Sequence, residues 1–144
     1  MDAPRAAGLN ELGDRLRAAG LRATAPRLAV LGELVASPGH HAADELADRL
    51  EARGVRIARA SVYNVLDDLV RCELVMLADA GPGRALYESR ESDHHHFVCR
   101  RCGSVADVPC IVGDRPCLQV EVPGAVVDQA QVIFRGLCPG CAAA

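Results

Sequence analysis

The chain has 144 residues and a formal charge of −3, and half of it is hydrophobic, with seven cysteines and five histidines. That length suits one domain or two small ones, and the apolar fraction excludes a disordered chain. No run approaches the roughly 18 apolar residues of a membrane span, and the charged N-terminus predicts neither a signal peptide nor an anchor. We therefore expect a cytoplasmic protein with no membrane partner, in which cysteines serve metal or redox chemistry.

Helices are predicted throughout the first half from apolar residues at helical spacing. One begins near Leu9 and stops at Gly20, and a second follows the N-cap residue Thr24. Two more helices span about 42–52 and 59–71.

A two-stranded ribbon is predicted after the fourth helix. Apolar runs at 74–77 and 85–87 flank Gly81-Pro82-Gly83, which is a strong turn signal. Helices followed by such a ribbon predict a winged helix-turn-helix, and we place this DNA-binding domain at 1–88.

The second half of the chain has a different pattern. A polar segment at 89–93 predicts a hinge. Short β-like runs, separated by prolines and glycines, follow it at 97–99, 105–108, 118–122 and 132–134. We therefore predict an α+β protein in which residues 94–144 form a second, metal-binding α/β domain.

Two Cys-x-x-Cys pairs, Cys99 with Cys102 and Cys138 with Cys141, give the strongest chemical signal. Each pair offers two thiolates on a tight turn, and two such turns complete the tetrahedral shell of Zn²⁺. A redox pair usually opens a helix after a strand, and we predict that these pairs do not. Four thiolates leave no coordination position of Zn²⁺ open, so we expect a structural site. The sequence also lacks the His-x-Glu motif of a zinc deaminase, so we do not expect an enzyme.

A second signal is Asp93-His94-His95-His96. On an extended strand His94 and His96 share one face and His95 points away. Two imidazoles on one face suit Fe²⁺, Zn²⁺ or Ni²⁺, whereas a solvated polar loop is the alternative. Further ligands must come from elsewhere in the chain, and the candidates are His40, Glu88 and Asp107.

Arginine supplies all 16 basic residues, but residues 1–84 hold 11 arginines against 12 acids, so no broad basic field exists. Arg22 and Arg27 belong to a stretch without acids. The fourth helix opens with residues that can reach phosphates and base edges from its first turns, namely Arg59, Ser61, Tyr63 and Asn64. A solvated face is the alternative interpretation.

Three cysteines remain. Cys110 and Cys117 suit a thiol switch or a weak metal site, or they are small core residues, which is the more frequent case. Cys72 ends an apolar helix face and is predicted to pack there.

Together these pieces resemble the Fur family of metal-dependent repressors. The matching elements are Arg22-Ala-Thr-Ala-Pro-Arg27, Ser61-Val-Tyr-Asn64, the ribbon, Asp93-His-His-His96 and the two cysteine pairs. The resemblance implies an N-terminal winged helix, a C-terminal α/β dimerisation domain and a homodimer on a palindromic double-stranded DNA operator. The DNA contacts that it implies come from Arg22, Thr24, Arg27, Arg59, Ser61, Tyr63 and Asn64.

The resemblance also implies a regulatory metal site at the hinge, separate from the structural zinc site of Cys99, Cys102, Cys138 and Cys141. The ligands carried over from the family are His40, Glu88, His94, His96 and Asp107. Fe²⁺ is the expected ion, with Mn²⁺, Ni²⁺ and Zn²⁺ as alternatives.

The segments 108–118 and 136–141, together with Asp107, resemble the actinobacterial, catalase-linked members that sense peroxide. In that resemblance H₂O₂ is the only small-molecule signal. It reacts at the Fe²⁺ site, a ligand histidine (His40 or His94) is oxidised, and the repressor leaves the DNA of catalase and oxidative-stress genes. The alternatives are an iron-, zinc- or nickel-responsive regulator of the same family and, more remotely, a thiol-based regulator that uses Cys110 and Cys117.

Overall fold

The computed structural model of the chain describes residues 8–90, 94–109, 120–127 and 130–144. The chain falls into two compact units, Met1–Arg90 and Glu91–Ala144. The division lies inside the segment predicted as a hinge, although Ser89 is still the last residue of a strand. Cys110 and Cys117 lie outside the described residues. No helix in the described part is long and apolar enough to cross a membrane.

The described part of the first unit has four helices, at the positions that the sequence predicts. They are α1 (Leu9–Ala18), α2 (Ala25–Ala36), α3 (Ala43–Ala52) and α4 (Arg59–Arg71). Thr24 caps α2 as predicted, since its hydroxyl accepts a hydrogen bond from the Arg27 amide at 3.5 Å. The apolar faces of the helices close on one core, whose fully buried leucines are Leu16, Leu31, Leu34, Leu46, Leu66 and Leu69.

An antiparallel ribbon of β1 (Val75–Asp79) and β2 (Ala85–Ser89) follows α4. It begins one residue later than predicted, because the Leu74 amide still donates to the Leu69 carbonyl at the end of α4. At the tip Gly81 has a φ of 125°, which glycine adopts without strain, and its amide donates to Asp79 Oδ1. The helices and the ribbon together form the predicted winged helix-turn-helix.

The described part of the second unit is a three-stranded sheet followed by a short helix. The elements are β3 (His94–Cys99), β4 (Val105–Pro109), β5 (Ile133–Gly136) and α5 (Pro139–Ala142). The central strand β3 pairs with β4 antiparallel and with β5 parallel. The strand predicted at 118–122 is wrong over 120–122, because a turn there bonds the Ala125 amide to the Val122 carbonyl. Its first two residues lie outside the described part.

Candidate metal centres

The four cysteines of the two Cys-x-x-Cys pairs lie together in the second unit. Cys99 ends β3, and the turn after it carries Cys102. Cys138 and Cys141 lie at α5, and the parallel pairing of Cys99 with Gly136 brings that helix beside the turn. The four Sγ atoms all lie within 4.8 Å of one another. The structure therefore assembles one cluster from two distant parts of the sequence.

The geometry of this cluster fits a metal ion and not a disulfide. Cys102 Sγ and Cys138 Sγ are 3.8 Å apart, which matches the edge, about 3.8 Å, of a tetrahedron with Zn–S bonds of about 2.3 Å. A disulfide would need about 2.05 Å. Backbone amides of Cys102 and Cys138 lower the pKa of the Cys99 thiol to about 6. A hydrogen bond with Cys138 and burial raise the pKa of Cys141 to about 12, so four thiolates need a cation in order to coexist.

The prediction that neither cysteine pair opens a helix after a strand is wrong. The second pair does open a helix after a strand, because α5 begins at Pro139 and follows β5. The contact between the two pairs favours the metal instead, since the Cys138 amide donates to Cys99 Sγ at 3.4 Å. Amide hydrogen bonds of this kind stabilise a thiolate in a closed four-cysteine site.

Two histidines and an aspartate form a second group in the same unit. His94 and His96 share one face of β3 as predicted, with ring centroids 4.9 Å apart. Asp107 lies opposite His96 in β4, and its Oδ1 is 3.2 Å from His94 Nε2 and 3.8 Å from His96 Nε2. Two imidazoles and a carboxylate are donors that suit Fe²⁺ and related divalent ions.

Two contacts that the sequence does not predict hold the rings of His95 and His96 in place. His95 points away from His94 and His96, and its Nδ1 accepts a hydrogen bond from the Val132 amide at 2.9 Å. The Gln131 side-chain amide lies 3.1 Å from Nδ1 of His96, whose side chain is fully buried. The sequence gives one weak indication of Gln131. The residue directly precedes the apolar run at 132–134, which leads into β5, and β5 pairs with the histidine strand β3.

A histidine–carboxylate pair lies in the first unit. His40 Nε2 is 3.2 Å from Glu88 Oε2, and both side chains are largely buried. The neighbouring residues fix this pair, because His41 and Tyr87 exchange two backbone hydrogen bonds of 2.9 and 2.8 Å. The ring of His41 is itself held by the Ser37 carbonyl and the Glu45 carboxylate. His41 is thus a structural residue, and the sequence alone identifies it only as a neighbour of His40.

The residues predicted to contact DNA lie at the starts of α2 and α4. Asn64 and Arg22 are exposed, and Ser61 is half-buried. Arg27 is held inside the unit, with Nη2 donating to Asp68 at 3.0 Å and Nη1 donating to the Arg22 carbonyl at 3.0 Å. Thr24 is the cap of α2. The two remaining residues, Arg59 and Tyr63, both contact acids on α3.

Comparisons with known proteins point to one family. The model of the ferric uptake regulator family matches residues 18–114. Transcriptional regulator FurA of Mycobacterium tuberculosis is 41% identical over 133 residues, which cover 91% of this chain and 90% of that protein. The peroxide operon regulator of Bacillus subtilis is 31% identical over 134 residues, which cover 92% of each.

A solved structure agrees with these relatives in fold. The crystal structure of the Vibrio cholerae ferric uptake regulator matches with a TM-score of 0.63 and 26% identity. The match covers 88% of this chain and 98% of the other.

Proposed function

We propose that this chain, which belongs to the ferric uptake regulator family of metal-dependent transcriptional regulators, is a homodimeric repressor. In this proposal it binds its operator when loaded with Fe²⁺ and releases the operator when H₂O₂ oxidises a ligand histidine. The observation that carries the proposal is the separation of two donor chemistries within one unit. Four thiols suit a closed Zn²⁺ site, whereas His94, His96 and Asp107 offer only nitrogen and oxygen.

We assign the nitrogen and oxygen donors to one regulatory ion, as the family resemblance implies. The ligands in this proposal are His40, Glu88, His94, His96 and Asp107. Five such ligands leave one position of an octahedral shell open to a signal molecule. Mn²⁺, Ni²⁺ and Zn²⁺ would accept the same donors, and Fe²⁺ is proposed because it reduces H₂O₂.

Peroxide is the proposed signal. His40, Glu88, His94, His96 and Asp107 would hold the Fe²⁺, which would supply the reducing chemistry that activates H₂O₂. In the net reaction one peroxide oxygen would be added to a ligand imidazole and the other would leave as water. His40 and His94 are the proposed targets, and an oxidised ligand binds the ion less well, so the repressor leaves its DNA. The 31% identity with a peroxide operon regulator supports this signal, and the proposed target genes are those of catalase and oxidative-stress defence.

Double-stranded DNA and a second copy of the chain are the proposed partners. Regulators of this family bind DNA as dimers, and we propose that this one binds a palindromic operator in the cytoplasm. Exposed apolar side chains in the second unit support a dimer, because a monomer would leave them in water. These side chains are Val120, Val122, Val126, Phe134 and Leu137.

A second candidate function within the family is an iron-, zinc- or nickel-responsive regulator that does not use peroxide. The 26% identity with the Vibrio cholerae ferric uptake regulator supports the iron-responsive form. In that case the operator would respond to the concentration of the ion and no ligand would be oxidised.

Mass spectrometry of the anaerobically Fe²⁺-loaded protein after one equivalent of H₂O₂ tests the proposal. We expect about one added oxygen on a peptide that contains His40 or His94. The His94→Ala variant should lose the response of DNA affinity to peroxide, and Cys117→Ser should keep it. The reverse pattern would establish a thiol-based regulator, and a full metal response without oxygen uptake would establish a metal-responsive one.

A further inference from the structure

Two acidic residues on α3 hold the side chains at the start of α4 that the proposed DNA contacts use. Arg59 Nη1 lies 3.2 Å from Asp44 Oδ1, and Arg59 Nη2 forms an ion pair with Asp48. The Tyr63 hydroxyl donates a hydrogen bond to the same Asp44 Oδ1 at 3.2 Å. In the free protein, carboxylates therefore bind both the guanidinium of Arg59 and the hydroxyl of Tyr63.

Helical spacing explains why these four side chains meet. Asp44 and Asp48 are one turn apart on α3, and Arg59 and Tyr63 are one turn apart on α4, so each pair shares a face. Two carboxylates one turn apart repel each other. The guanidinium of Arg59 bridges them and relieves this repulsion.

The contacts are accessible to a competing anion. The Arg59 side chain is 50% exposed, and those of Asp44 and Asp48 are each 65% exposed. Exposed ion pairs are weak and are screened by salt, so a DNA phosphate can displace the carboxylates. The displaced carboxylates stay on α3, where they continue to repel phosphates within a screening length of about 10 Å at moderate salt.

We propose that Asp44 and Asp48 suppress non-specific DNA binding by competing with phosphates for Arg59 and Tyr63. The inference rests on the proposed function, because it requires the start of α4 to face DNA. A random duplex binds through its phosphates alone, whereas an operator adds base contacts that outweigh the competition. The two acids thus raise the ratio of operator affinity to random-sequence affinity.

Binding of a fluorescently labelled, random-sequence DNA duplex tests this inference, with the full-length, zinc-containing, Mn²⁺-loaded protein. We expect Asp48→Asn to bind roughly three to ten times more tightly than the wild type at about 50 mM salt, and less than about twofold more tightly at about 300 mM. Asp44→Asn should show the same direction. Glu51→Gln removes the same charge nearly one turn further along α3 and is the matched control, which should change affinity less than about twofold.

The outcomes separate this inference from the function on which it rests. If the wild type binds measurably and neither Asp44→Asn nor Asp48→Asn binds more tightly, this inference is overturned. The proposal that the protein binds DNA then still stands. An equal gain in Glu51→Gln also overturns it, because the effect would then belong to net charge. If neither the wild type nor any variant binds DNA at low salt, the proposed function fails and this inference fails with it.

Discussion

Gln131 and His96 are joined by a contact that determines which ring nitrogen of the histidine is available to a metal ion. The Gln131 side-chain amide lies 3.1 Å from His96 Nδ1, and His96 Nε2 lies 3.8 Å from Asp107 Oδ1 on the other side. A neutral histidine binds metal through one nitrogen when the proton sits on the other. The atom of Gln131 beside Nδ1 is the amide nitrogen Nε2, which donates to Nδ1, so the proton of the neutral ring lies on His96 Nε2. An ion can bind Nε2 once the Gln131 amide turns and its oxygen accepts from Nδ1–H.

Replacing Gln131 should therefore weaken the regulatory metal site without disturbing the zinc site. We expect Gln131→Leu to raise the Kd for Mn²⁺ about tenfold or more, as other groups that orient metal-bound histidines do. Gln131→Glu keeps an acceptor and should retain most of the affinity. A competition titration with a metal-binding dye measures both, and an unchanged Kd in Gln131→Leu would show that the contact does not position His96.

Loss of one cluster cysteine should release the structural zinc. Cys102→Ser removes a ligand from the four-sulfur cluster, so elemental analysis should find less than half of the zinc of the wild type, and the second unit should unfold more readily. Cys72→Ser is the control, because Cys72 lies in the first unit and its Sγ contacts the Leu69 carbonyl. Full zinc content in Cys102→Ser would contradict the four-cysteine assignment.

The cap of α2 should contribute measurably to the stability of the first unit. Thr24→Ala removes the hydroxyl that accepts from the Arg27 amide, and we expect it to lower the free energy of unfolding by about 1 kcal/mol. Thr24→Ser keeps a capping hydroxyl and should be close to the wild type. Urea denaturation followed by circular dichroism gives both values, and equal stability of the alanine and serine variants would rule out the capping role.

Glu33 should contribute more to the stability of the first unit than the cap does, because the residue is only 3% exposed. Arg53 Nη1 lies 3.2 Å and Arg49 Nη1 3.6 Å from its oxygens, and the Ser37 hydroxyl donates to it at 3.2 Å. Glu33→Ala removes all three contacts, but the two guanidinium groups can turn to water, so we expect a loss of about 1–3 kcal/mol.

The control for Glu33→Ala is Glu11→Gln, at an exposed position of α1, which should change the free energy of unfolding by less than about 0.5 kcal/mol. Urea denaturation compares the two variants under the same conditions. Equal stability of Glu33→Ala and Glu11→Gln would mean that the buried network does not stabilise the helices.

The sequence predicted the helices and the shared face of His94 and His96 well, for physical reasons that particular residues illustrate. Leu31 and Leu34 fall on one face of α2 because a buried stripe must repeat with the helical period. Cysteines and histidines can be identified as candidate metal ligands from the sequence because few residue types bind metals. His94 and His96 were predicted to share a face from the alternation of a strand alone, and their rings do meet.

Polar partners from distant segments were beyond prediction. The spacing of Glu33 does not predict its contacts with Arg49 on α3 and with Arg53, the residue that follows α3. A lone glutamate in a helix is usually exposed. Gln131 is no metal ligand by type, so its role depends on the parallel pairing of β5 with β3. The predicted strand at 120–122 failed because apolar composition alone does not distinguish a strand from an exposed turn.

The central claim is that Fe²⁺ in the nitrogen and oxygen site makes DNA binding sensitive to peroxide. A DNA duplex is first selected from a random library by the Mn²⁺-loaded protein. The most direct measurement then compares the affinities of the Fe²⁺-loaded and Mn²⁺-loaded proteins for this duplex, under anaerobic conditions, before and after one equivalent of H₂O₂. We expect the Fe²⁺ form to lose affinity by about tenfold or more and the Mn²⁺ form to keep it. Full affinity of the Fe²⁺ form after peroxide, or an equal loss in both forms, would contradict the claim.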